Sequence, residues 1–131
     1  MVRQEFDVDG YWRVVVYYDV DYHSFDAIYE DLKSAGIHDW KIKEVYHMLF
    51  TGKAKAATLS SSSDHISIVL FNKHSSIQDY LNSIVHEAEH IKQAMLKTYR
   101  VEDAGEPPAY TIGYLVMRMW GVFKNVLRTY H

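Results

Sequence analysis

The chain has no cysteine, and that absence alone removes several kinds of chemistry. Disulfides, thiolate zinc sites and cysteine nucleophiles are excluded, so any metal must be held by His and carboxylates. No charge of one sign dominates. The formal net charge is −3 and the Lys and Arg residues are scattered, which leaves no electrostatic footprint for nucleic acid or for an anionic membrane. A long uninterrupted apolar run is also missing. The longest apolar stretch, Ala109 to Val126, is broken by Arg118 and Lys124, which argues against a membrane span. The N-terminal residues Met-Val-Arg-Gln-Glu-Phe-Asp contain no apolar signal core, so a soluble, cytoplasmic protein is expected.

What is present points to an ordered domain. Nearly half of the 131 residues are hydrophobic (48%) and 15% are aromatic, with eleven Tyr, a composition that can bury a real core. With no repeat and no linker, residues 1–131 read as one domain. Tyr11 to Val20 is aromatic and β-branched, as strands are. Ser24 to Ala35 reads as a helix with Phe25, Ile28 and Leu32 as its apolar stripe, closed by Gly36. Asp39 can cap a second helix carrying Ile42, Val45, Tyr46 and Leu49, which ends before Gly52. Strands are expected at about Ala56 to Ser60 and His65 to Phe71, joined as a hairpin through the turn-forming run Ser60 to Asp64. Ser75 or Ser76 then opens a helix running to about Tyr99. After a polar connection, Val101 to Gly105, a last helix starts at Pro107-Pro108 and runs to about Arg128. This order predicts an α+β fold: a small mixed or antiparallel sheet packed with about four helices.

The most informative stretch is His86-Glu87-Ala88-Glu89-His90. Residues i and i+4 of a helix lie one above the other, so both imidazoles can reach one ion, with Glu87 beside them as general base for a water. Eight His and seven Glu in the chain give this pattern by accident in roughly 2–3% of such sequences, so its surroundings must decide. On the same helix Leu81, Ile84, Ala88, Ile91 and Met95 form the apolar stripe, and the His pair lies roughly 150° from its centre. The pair is therefore not aimed into that core; it is either a metal face or an ordinary solvated one. Glu89 is turned away from it. The other histidines, His23, His38, His47, His65, His74 and His131, show no ligand spacing and read as surface residues.

Sites of this class need a third protein ligand and a corner left for water. Glu102, Asp103 and Glu106 follow the helix. Glu106 is favoured because it stands at the mouth of the last helix, where Pro107 holds it extended and the helix dipole welcomes a carboxylate. The alternatives are Glu102 as ligand, or Glu106 as a simple cap. The last helix is apolar almost all round (Ile112, Leu115, Val116, Met119, Trp120, Phe123) and should be buried, with Gly113 and Gly121 admitting a close neighbour. One turn past Glu106, Tyr110 either packs or presents its phenol to a scissile carbonyl.

Together His86-Glu87-Ala88-Glu89-His90, Glu106-Pro107-Pro108-Ala109-Tyr110 and Gly113-Tyr114 resemble the small zincin-like metallopeptidases. These are short single-domain proteins, many from phages and bacterial mobile elements, with an H-E-x-x-H helix and a later E-x-x-A-Y helix start. The resemblance covers Ser75 to Tyr114, and the first half carries no such match. It implies Zn2+ held by His86, His90 and Glu106, Glu87 as general base, and a peptide or protein substrate. The strand at His65 to Phe71 is then expected at the cleft, as a half-buried edge that pairs with the substrate. A non-catalytic module on the same scaffold is the alternative.

Overall fold

The computed structural model describes residues 1–126. The chain opens with a hairpin, β1 (Val2–Val8) and β2 (Trp12–Tyr18), paired antiparallel with Phe6 opposite Val14. Its turn is Asp9-Gly10, both in left-handed backbone with φ of 53° and 73°. Asp-Gly is the dipeptide that such a tight turn demands. Helices α1 (Phe25–Ser34) and α2 (Asp39–Phe50) follow, then β3 (Ala56–Ser61), β4 (Ile66–Phe71), α3 (Ile77–Tyr99) and α4 (Glu106–Val126). The four strands form one sheet in the order β1-β2-β4-β3. It is mixed, because β2 and β4 run parallel while both outer pairs are antiparallel. This is the α+β arrangement of a small sheet with four helices that the pattern predicts.

Strand alternation divides the core into two layers. Val15, Tyr17, Ile66, Ile68 and Leu70 point to one face and meet Ile28 and Leu32 of α1 and Ile42, Val45 and Leu49 of α2. Trp12, Val14, Val16, Tyr18, Val69 and Phe71 point to the other and meet α3 and α4. The α3 stripe is as expected: Ile84, Ala88, Ile91 and Met95 are buried, and Leu81 packs beside them. Ser76 caps α3, its hydroxyl accepting from the Asp79 amide at 3.1 Å. Helix α4 runs antiparallel to α3: Pro107 lies near Tyr99, while the Phe123 ring stands 4.6 Å from that of Tyr80.

Several expectations are corrected. β4 is no half-buried edge. All six of its residues are buried, because it lies between β2 and β3 with helices on both faces; the edge strand beside it is β3. The all-apolar α4 is buried along one side only, through Pro108, Leu115, Met119, Phe123 and Val126; Tyr110, Met117 and Trp120 are exposed. Gly113 and Gly121 admit no close neighbour, since a Cβ at either would meet nothing within 4 Å. Strand β1 is an element that the apolar pattern does not reveal: only Phe6 and Val8 of its seven residues are buried. Arg128 and His131 lie outside the described residues.

Candidate metal centre

Helix α3 carries His86 and His90 on the side facing β3. Their Nε2 atoms are 3.2 Å apart, with the rings edge to face at 80°. Two nitrogens held about 2.0–2.1 Å from one tetrahedral ion stand about 3.3 Å apart, so the spacing of the pair matches what zinc would require. That separation is also a hydrogen-bond distance between the two ring nitrogens. Glu87 lies beside them but is only 4% exposed. Its Oε1 accepts a hydrogen bond from Thr58 Oγ1 of β3 at 2.9 Å, which fixes the carboxylate and leaves Oε2 for a ligand or a water. The ligand atoms of His86, Glu87 and His90 lie within 4.8 Å of one another.

The three residues line a cleft of about 300 Å³. Ala56, Ala57 and Thr58 of the edge strand form its floor, and Lys41, Glu44, Val45 and Met48 of α2 form the opposite wall. The cleft therefore draws on both helical layers where they meet past the edge of the sheet. A second hollow, with Lys53, Lys55, Asn82 and Ser83, shares His86 and Glu87. Glu44 and Thr58 carry no motif; only their proximity in the fold, β3 passing under α3 and α2 facing it, reveals them.

Glu106, Glu102 and Tyr110 are not brought to this group. Helix α3 continues nine residues past His90, about 13.5 Å of rise, before the chain turns back. Glu106 therefore begins α4 near the far end of α3 and well above the imidazoles. The acidic connection is also tied elsewhere. Asp103 pairs with Lys92 Nζ at 2.8 Å, and Lys92 is two residues, or about 200°, around the helix from His90. Glu89 completes that clamp at 2.7 Å. Lys92 is only 7% exposed, and the hydrogen bonds it donates to Asp103 and Glu89 raise its pKa. Tyr110 is 74% exposed and lines a different hollow, with Val8, Asp9, Pro107, Thr111 and Tyr114, on the β1 side of the sheet.

His74, read as a surface residue from its spacing, is buried. Its Nδ1 donates to the Asn72 carbonyl at 2.6 Å, which makes Nε2 the acceptor of the Ser83 hydroxyl at 2.7 Å. His65 stacks on Trp12 at 5.7 Å. Among the described residues no helix is long and apolar enough to cross a membrane. Comparison with models of known families, with curated proteins and with solved structures gave no match.

Proposed function

We propose that the protein is a zinc-dependent hydrolase of peptide or related amide bonds. The observation that carries this reading is the pair of Nε2 atoms at 3.2 Å beside a buried, hydrogen-bonded carboxylate in a cleft. His86 and His90 would hold the ion. Glu44 lines the same cleft, where its Oε1 accepts from Lys41 Nζ at 2.9 Å, and on leaving that partner it would be the candidate to complete the protein ligands in place of Glu106. Zinc, when bound, would supply acidity, lowering the pKa of a water towards about 7. Glu87 Oε2 would accept a proton from the attacking water as its oxygen bonds to the carbonyl carbon, and would deliver it to the amine nitrogen as the C–N bond breaks, with Thr58 holding Oε1 still. Among the described residues the outer edge of β3 has no strand partner, so an extended peptide could add to it at Ala56 to Thr58 and cross the cleft.

The test is a peptide library incubated with zinc-loaded protein, with chelator-treated protein and with Glu87→Gln. Cleavage that needs both zinc and Glu87 supports the reading; cleavage indifferent to either, or none by the loaded protein, overturns it. The second reading, a binding module that holds a metal without turning over, is favoured by the distance of Glu102 and Glu106 from the His pair. Stoichiometric zinc, lost in His86→Ala, with no cleavage of any peptide would select it.

A further inference from the structure

The opposite side of the sheet carries a second constellation, unrelated to the His pair. Two hollows, of about 420 and 210 Å³, adjoin there and share Val8, Asp9, Pro107 and Thr111 as walls. Tyr110 and Tyr114 line the first, and Tyr11 and Tyr99 line the second. Four phenol rings thus line two adjoining hollows that share one carboxylate, Asp9. Tyr11 is 72% exposed, so core packing does not account for its position any more than it does for that of Tyr110. Asp9 has no ion-pair partner among the described residues.

The chemistry of these walls favours a cation over an anion. The first turn of α4 borders the groove, and helix starts ordinarily bind anions through free backbone N–H groups. Here Pro107 and Pro108 have none to offer. Aromatic faces attract cations, and among cations the planar guanidinium stacks on them best. The fold contains its own instance on the same wall. The Arg118 guanidinium lies 4.9 Å from the Phe6 ring centre and 5.9 Å from that of Tyr114, and it donates to the Tyr114 hydroxyl at 3.2 Å.

We propose that this groove binds an arginine side chain presented by a peptide partner, with Asp9 as the counter-charge and Tyr11, Tyr99 and Tyr110 as the stacking walls. The site does not depend on the hydrolase reading.

The experiment is an NMR titration of isotope-labelled full-length protein with acetyl-Gly-Arg-Gly-amide and with its citrulline counterpart, which keeps the shape and loses the charge. The arginine peptide should saturably shift the amide signals of Asp9, Tyr99 and Thr111, and the citrulline peptide should not. Added salt should weaken binding, since the site is exposed. Asp9→Asn should weaken it about fivefold. Asparagine is tolerated at the left-handed φ of 53°, so this variant keeps the hairpin. Tyr110→Leu, at an exposed helical position, should weaken binding about threefold. Equal binding of the two peptides, unmoved signals with both, or an arginine affinity unchanged in Asp9→Asn would each overturn the proposal.

Discussion

The two outer strands of the sheet, β3 and β1, each have one edge without a strand partner among the described residues, yet the surfaces built beside them differ in kind. Next to β3 the polar groups are few and held: Glu87 is buried and bonded to Thr58, and the imidazoles face one another. Next to β1 the rings are large and open, and the carboxylate, Asp9, is unpaired among the described residues. The difference follows from which helix covers each edge. Helix α3 lies over the β3 side and turns its polar face outward past the strand, against the wall of α2. Helix α4 lies along β1, anchored by Gln4 to the Arg118 carbonyl at 2.9 Å and by Tyr114 to the Asp7 carbonyl at 3.1 Å. A preorganised site suits chemistry, and an open aromatic one suits recognition.

The contrast can be broken or sharpened by substitution. The largest effect is expected from Glu87→Gln, which should lower peptide hydrolysis about 10²–10⁴-fold in a fluorogenic assay. It should leave arginine-peptide binding at the β1 side unaltered. Ile68→Ala strikes the strand layer common to both edges; it should cost about 2–5 kcal/mol in urea unfolding and degrade the two surfaces together. Thr58→Val removes the donor to a buried carboxylate. A loss of about 1–3 kcal/mol is expected, with a fall in hydrolysis and no change beside β1. Lys92→Met unties Asp103 from α3 and removes the partner of Glu89 within the helix. The effect, about 1 kcal/mol, should be read as faster amide exchange in residues 100–105, which border the aromatic groove rather than the cleft.

The smallest effect is a matter of pH. Burial, reinforced by a hydrogen bond with Asp31, pushes the Tyr17 phenol up to about 12. A group raised in the folded state stabilises fully below its unfolded pKa. The unfolded chain ionises from about 10, so stability should be flat at neutral pH and fall between about 10 and about 12. Tyr17→Phe should flatten that decline in pH-dependent denaturation curves.

The sequence made the helices and the β3–β4 hairpin legible because each has a period and a stop: Gly36, Gly52 and the Ser60 to Asp64 run. It made the His pair legible because i, i+4 spacing is local to one helix. Strand β1 escapes the apolar pattern because an edge strand with four exposed residues and a half-buried Gln4 shows almost no apolar alternation; the Asp9-Gly10 turn is the available signal. The sidedness of α4 and the whereabouts of Glu106 depend on how far α3 runs before the chain reverses, and spacing in sequence does not measure that height. Thr58 and Glu44 were invisible for a related reason. Their role comes from elements that meet only in three dimensions, across an edge that sequence alone assigned to β4.

The parallel pairing of β2 with β4 joins Arg13 to Ile66 and Val16 to Val69, across everything between α1 and β3. Closing so long a loop forfeits chain entropy before any reward arrives, which places that seam late in folding. Until β4 has been synthesised, the β1–β2 hairpin keeps one edge of its valine-rich strand β2 uncovered. A nascent chain stalled before Ile66 would offer that strand to any passing β-edge, and chaperone dependence should peak at those lengths.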